Sequence, residues 1–388
     1  MESKIRVLHI IPGFGGGISS HVRNIINGIN KEEVTIDVAG FTSYPDEFTA
    51  EVNNKGGKTF TLYNVRIHNL GKCVKQFREI VINGNYDAIH MHLADIQAVY
   101  FSILASTCGV KRKIVHAHIA DQQGSEKALF KIRKKINQIL TVSSATDLAS
   151  CSKLSSEFRF GKKYVDENRV MHIPNSINAT NYFEKISEDE IAKYREEFKI
   201  KEGQLIIGHI GFFGYQKNHP FMFKIAKRLK ERGVDFVWLF IGTGYNFEEY
   251  VHLAETMGLR DCVRFLGRRN DVCALYKIMN VSVLASFFEG LPTVTIETQA
   301  AGTATVISDS ISDETDMGLN MIKRVSLNED VDTWSDAILE MSKIKAPEAE
   351  ERKSNIEKRA FTTLTAAKLY TKFLKKEIMT YNLGTEIE

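Results

Sequence analysis

Short apolar runs, each followed by a stretch long enough for a helix, recur along the whole 388-residue chain and set its fold class. In the first half they lie at 5–11, 34–41, 58–63, 86–92, 112–118, 138–143 and 169–173. The central runs are continuously apolar, as strands covered on both faces are. Segments with helical spacing lie between them, 18–29 and 95–106 for example. Strands alternating with helices form parallel, doubly wound sheets. A polar stretch at 176–203 interrupts the pattern, which then restarts with strands at 204–210, 235–241, 263–266, 281–285 and 304–308 and helices at 219–231 and 247–257. The sequence predicts an α/β protein of two Rossmann-like domains, 1–185 and 186–355, facing a cleft, followed by a helical tail, 356–388. The tail carries an apolar stripe at Ala360, Leu364, Ala367, Leu369 and Phe373. In such sheets ligands bind outside the carboxyl ends of the strands, so the loops there matter most.

Composition narrows the class. No run approaches the roughly 20 apolar residues of a spanning helix, and the chain opens directly on the strand-like Ile5–Ile11 without the pattern of a signal peptide. A cytoplasmic location is expected. The five cysteines are scattered and form no Cys-x-x-Cys, which argues against a disulfide framework or a zinc site made of thiolates. Residues 1–185 hold 24 Lys+Arg against 17 Asp+Glu, a balance of +7, whereas residues 186–388 hold 27 against 31, a balance of −4. The basic half contains Lys127–Lys135, KALFKIRKK, whose interleaved apolar residues suit a helix lying on an anionic membrane surface. No aromatic-basic motif accompanies it, so nucleic acid is not an expected partner.

Four loops carry candidate chemistry. After the first strand comes Gly13-Phe14-Gly15-Gly16-Gly17, where glycines allow a backbone to approach an anion at a helix N-terminus. The spacing is not that of a nicotinamide-binding loop, and no acidic residue ends the second strand. Strand 112–118 ends in His116-Ala117-His118, whose imidazoles share one face and can bond a sugar hydroxyl. Two histidines are too few for a metal, and no further ligand is adjacent in sequence. His90 and His92 end the preceding strand in the same way. In the second half, Gly208–Pro220 sets Gly211 at a strand end and Lys217 just before a helix, a pairing of cation and helix N-terminus that can hold a diphosphate. The fourth loop reads Glu289-Gly290-Leu291-Pro292, leading into a helix near Thr293 with Glu297 one turn on. Amides at Gly290 and Leu291 suit phosphate oxygens, and a carboxylate at Glu297 suits vicinal ribose hydroxyls.

The Glu289-to-Glu297 spacing resembles the Glu-x7-Glu motif of retaining glycosyltransferases with the GT-B fold. The family concerned is family 4, glycosyl transferases group 1, and the likeness extends to its capsular and exopolysaccharide enzymes. The resemblance also takes in Gly15-Gly16-Gly17, His116-Ala117-His118, Ile173–Asn178, Gln216-Lys217-Asn218-His219 and Phe265-Leu266-Gly267. It implies that Glu289 meets the donor sugar, Gly290 and Leu291 the diphosphate, Glu297 the ribose, and Lys217 the leaving phosphate. It further implies that Leu266 and Gly267 face the base, that His118 lies by the transferred sugar, and that Gly16 and Gly17 lie near donor phosphate or acceptor. The tail helix is expected to cross back to the first domain.

Two departures stand out. Phe212 occupies a place where relatives commonly carry arginine, so Arg268 or Arg269 is the expected substitute cation, and Ser176 and Asn178 replace a glycine and an aspartate. The expected reaction moves a hexose or N-acetylhexosamine from a nucleotide sugar, a UDP-sugar above all, to a glycan or lipid-linked acceptor. It needs no cofactor and no metal; the only Asp-x-Asp, Asp330-Val331-Asp332, falls in a late helical segment. The rival readings are a sugar-nucleotide epimerase and a nucleotide-sugar-binding subunit with weak catalysis.

Overall fold

The computed structural model describes residues 4–118 and 128–381. The chain divides into two compact units: one runs to Ile177 and resumes at Ala360, and the other spans Asn178–Arg359. The boundaries expected at 185/186 and 355/356 therefore fall at 177/178 and 359/360. Packing explains both shifts. Tyr182 and Ile186 pack on the second unit's core beside Tyr276. The helix Ala349–Lys358 is tied to that unit through Arg352, which donates to the Ala300 carbonyl.

The first unit holds seven strands: β1 (Ile5–Ile11), β2 (Val34–Gly40), β3 (Thr59–Thr61), β4 (Ala88–Met91), β5 (Arg112–Ala117), β6 (Asp147–Ser150) and β7 (Val170–His172). They pair in parallel in the order β3-β2-β1-β4-β5-β6-β7. The second unit holds β8 (Leu205–Ile210), β9 (Phe236–Ile241), β10 (Val263–Gly267), β11 (Val281–Leu284), β12 (Ala304–Ser308) and β13 (Ile322–Val325), ordered β10-β9-β8-β11-β12-β13. Both sheets thus reverse direction beside their first strand, at β1/β4 and at β8/β11. Such switch points open a crevice at the carboxyl ends.

Two expectations fail locally. The strand expected at 138–143 is the end of a helix, Ala128–Ser144, and the real strand is β6. A short apolar run has no period of its own, and the helical spacing of Ile132, Ile136 and Ile139 extends through it. The edge strand β13, Ile-Lys-Arg-Val, lacks the apolar signature of the central strands.

The tail is two helices, Ala349–Lys358 and Thr363–Leu374, separated by Ala360 in the left-handed region at φ 61°. Its buried face is Ala366, Ala367, Leu369, Tyr370, Phe373 and Leu374, whereas Leu364 is exposed. This second helix packs on the first helix of the chain, Gly17–Gly28. Gly28 permits the approach, because a Cβ there would lie 2.3 Å from the Thr363 carbonyl oxygen and 2.7 Å from the Ala367 Cβ. Arg112 fixes the helix end by donating to the Leu374 and Phe373 carbonyls at 2.7 and 3.0 Å while pairing with Asp147 at 3.1 Å. The tail therefore completes the face of the first sheet that carries Val7, Ile11 and Ile114.

Candidate active site

In the second unit, β8 and β11 deliver their following loops to the switch point. After β8 the chain passes Gly211, makes a 3-10 turn at Tyr215–Lys217, and turns through Asn218 at φ 56° into the helix His219–Glu231. Gly211 leaves room for the lysine stem, since a Cβ there would lie 3.2 Å from Lys217 Cε. After β11 the loop runs to Pro292, and the helix Thr293–Ala301 starts with no side-chain cap. An uncapped start leaves the first amides for a ligand.

The two loops meet through side chains. Lys217 Nζ donates to Glu289 Oε1 at 2.6 Å, and Gln216 Nε2 donates to Glu289 Oε2 and to the Phe288 carbonyl, each at 2.9 Å. The Phe287 amide returns a bond to the Gln216 carbonyl at 2.9 Å. Glu289 is buried, so a charged partner and a second donor are what keep a carboxylate there. Glu297, one turn into the helix, accepts from the Tyr276 hydroxyl at 2.9 Å. Burial raises its carboxyl above the usual glutamate range, while bonds from Tyr276 and Thr293 act in the opposite direction.

The structure brings together Lys217, Gly211 and Glu289, and sets half-buried Gly290 and buried Leu291 before the same helix. Leu266 and Gly267 end β10, two strands from β8, with Gly267 at φ 64° and its carbonyl accepting from Gly242. The expected substitute cations divide. Arg269 is held by Glu197 at 2.6 Å and Asp271 at 2.6 Å, whereas Arg268 is exposed. At Phe212 there is instead an exposed aromatic pair, Phe212 with Tyr245, centroids 5.2 Å apart.

Gly16, Gly17 and His118 belong to the first unit. Gly15 and Gly16 take φ of 106° and 113°, which a side chain would disfavour, and Gly17 opens the first helix without a cap. His118 lies beside a pocket of about 380 Å³ lined also by His92, His116, Phe130, Arg133 and Arg159. Ile119, which follows it, and Lys127 lie outside the described residues. His118 is not alone: His9, His21, His90, His92 and His116 stack on the same side of the sheet, with Tyr370 against His9 and His90. The reason given above against metal ligation, that no ligand neighbours the His116–His118 pair, does not survive folding.

Four residues were given no role from the sequence: Gln216 as the second donor to Glu289, Tyr276 as the partner of Glu297, His21 beside His116 and His9 beside His90. For the histidines a signal existed, since His9, His90, His92, His116 and His118 all sit at or near strand ends. Tyr276 had none, because its helix, Val272–Ile278, reaches Glu297 only through the fold.

Two doubly wound parallel units of this topology are the architecture of the GT-B fold. The family model for glycosyl transferases group 1 matches residues 190–360. The putative glycosyltransferase EpsF of Bacillus subtilis (strain 168) is 30% identical over 354 residues, spanning 90% of this chain and 91% of that protein. The chain belongs to the glycosyl transferases group 1 family. The UDP-Gal:alpha-D-GlcNAc-diphosphoundecaprenol alpha-1,3-galactosyltransferase of Escherichia coli is 23% identical over 241 residues, 61% of this chain and 62% of that one. Among solved structures, Anabaena Alr3699/HepE in complex with UDP-glucose superposes with TM-score 0.75 at 16% identity, over 96% of this chain and 100% of that one.

Proposed function

We propose that the enzyme transfers a hexose or N-acetylhexosamine from a UDP-sugar, with retention at the anomeric carbon, to a lipid-linked or glycan acceptor during cell-surface polysaccharide synthesis. The observation that carries this reading is the Lys217–Glu289 pair, a half-buried lysine on a buried glutamate, before a helix with no side-chain cap. Lys217 and the helix amides offset the charge that builds on the leaving diphosphate, and electrostatic preorganisation of this kind is commonly the largest catalytic term. Glu289 takes a hydroxyl of the sugar, and Gln216 holds it in place. Gly290 and Leu291 address the diphosphate, Glu297 the ribose hydroxyls, and Leu266, Gly267 and Arg268 the base side. Lys217 serves the phosphate without a metal. The acceptor hydroxyl attacks from the side the phosphate leaves, and the phosphate takes its proton. His118 and the pocket beside it serve the transferred sugar and acceptor, with Gly16 and Gly17 at its glycine loop.

Membrane contact belongs to the same reading. No described helix is long and apolar enough to cross a membrane. The helix Ala128–Ser144, however, exposes Leu129, Ile132, Ile136 and Ile139 among Lys131, Arg133 and Lys135. Apolar residues exposed between cations suit the surface of an anionic leaflet, where lipid-linked acceptors reside. On this reading the enzyme works at the inner face of the membrane.

A panel of nucleotide sugars tests the donor assignment by thermal shift and by release of free nucleotide. A UDP-sugar is expected to raise the melting temperature and to release UDP when an acceptor is present. A panel in which no nucleotide sugar does so refutes the reading.

A further inference from the structure

Six of the chain's eleven histidines occupy one place in the first unit. Strand periodicity puts them there. His9 pairs in register with His90 across β1 and β4, and His92 and His116 follow on the same face toward the carboxyl ends. His21 arrives from the first helix. All are buried except His118, which is half-buried. Burial pushes every one of these imidazoles well below its ordinary value, to about 3 for His9 and about 4 for His21, so at neutral pH the rings are uncharged, the form that ligates metals.

Most of the ring nitrogens are already used. His118 Nε2 meets His92 Nδ1 at 2.7 Å, and His92 Nε2 meets His9 Nδ1 at 3.0 Å. His9 Nε2 and His90 Nδ1 both meet the Tyr370 hydroxyl at 2.9 Å, and His90 Nε2 meets His116 Nδ1 at 3.1 Å. The line accounts for both nitrogens of His9, His90 and His92. Among the described residues, two buried nitrogens in the cluster remain without a partner, His21 Nδ1 and His116 Nε2. Buried polar atoms left in this state are rare and costly. Both belong to rings that, with His92, can each supply one nitrogen within 4.8 Å of the others.

We propose that His21 Nδ1, His116 Nε2 and one nitrogen of His92 bind a divalent transition-metal ion of borderline softness, zinc above all, in the first unit. Three observations converge. The ligand type is imidazole, which suits zinc and its neighbours and not magnesium or calcium. The outer partners of the ligating rings are in place: His116 keeps His90 on Nδ1, His21 keeps the Pro174 carbonyl, and His92 keeps either His9 or His118. Such partners fix the tautomer of metal-bound histidines. His92 and His116 also line the pocket, which gives the ion an entry and a solvent molecule the fourth position. Tetrahedral zinc sets its ligand nitrogens roughly 3.3–3.4 Å apart, as follows from bonds of about 2.0–2.1 Å, so nitrogens within 4.8 Å of one another need to draw together by at most about 1.5 Å. The ion would join the first helix to β4 and β5. For the donor phosphates the proposed transfer calls on Lys217, in the other unit.

The test uses the full chain and does not read sugar transfer. Metal-free protein is titrated with zinc by calorimetry, its melting temperature is followed, and cobalt is added as a spectroscopic probe. One equivalent of zinc per chain, a rise in melting temperature on the order of 5 °C at saturation and an intense tetrahedral cobalt band are expected. His21→Asn and His116→Gln should each weaken zinc at least tenfold, and His68→Gln and His252→Gln, at exposed histidines, should leave it unchanged. Absence of a saturable equivalent in the unaltered chain overturns the proposal, as does binding lost with the exposed histidines. The titration of the unaltered chain decides even if a buried-histidine variant fails to fold.

Discussion

The two units place different chemistry at the same topological point. At β8/β11 the carboxyl ends deliver charge: a lysine, two glutamates and an open helix start. At β1/β4 they deliver neutral rings: buried imidazoles joined through one phenol, with no carboxylate among the described residues of that chain of hydrogen bonds. Topology fixes where a ligand can sit, and side chains fix what it can be. The charged edge suits a nucleoside diphosphate. The neutral edge suits sugar hydroxyls or a metal, and it makes the first unit the one that acid attacks.

That difference predicts the largest effect. An imidazole that titrates near 6.5 in the unfolded chain and far lower when buried leaves stability complete above about pH 6.5 and removes it as the pH falls. One unit below 6.5, each costs about 1.4 kcal/mol. Seven such imidazoles, His9, His21, His90, His92, His116, His118 and His172, lie in the first unit, against His209 and His219 in the second, so acid removes more stability from the first. A domain's whole stability is about 5–15 kcal/mol. Both tryptophans, Trp238 and Trp334, lie in the second unit. Far-UV circular dichroism should therefore fall near pH 5.5 before tryptophan fluorescence changes. Coincident transitions would remove the distinction between the units.

Arg112→Ala should come next. It strands Asp147, buried to 8% exposure, and two carbonyls at the end of the tail helix. Breaking a buried pair costs about 3–5 kcal/mol, which denaturant unfolding would report in the first unit alone. Lys217→Ala is the matching lesion at the charged edge. Loss of a preorganised charge donor lowers kcat by about 10²–10³-fold, with circular dichroism unchanged; a rate within threefold of the unaltered enzyme would break the phosphate assignment. Gly28→Ala pushes the first helix against Thr363 and Ala367 and should cost about 1–3 kcal/mol, read as a lower melting temperature. The smallest effect is at Glu297→Ala, expected to weaken nucleotide about tenfold, or about 1.4 kcal/mol, with the fold intact. Because its carboxyl is raised, nucleotide affinity in the unaltered enzyme should start to fall with acid above the ordinary glutamate range, and Glu297→Gln should flatten that dependence.

Much of this was legible before the fold was known. The strands and helices that frame both switch points follow from local hydrophobic period, and the helix 219–231 begins and ends where its pattern does. Lys217, Glu289 and Glu297 stood out from a lysine just before a helix and from the Glu-x7-Glu spacing. The misread segment at 138–143 and the unseen β13 lie where the period is short or masked by charge. The helical tail expected over 356–388 is interrupted at Ala360, where the chain passes from one unit to the other.

The sequence by itself determined the order of elements, the two-unit plan and the chemical character of each loop, since these depend on residues a few positions apart. Only the tertiary structure decided which side chains meet. Lys217 and Glu289 are 72 residues apart, and His9 and Tyr370 are 361 apart. Their meeting depends on strand order, register and the return of the tail, and those are set by packing across the whole unit.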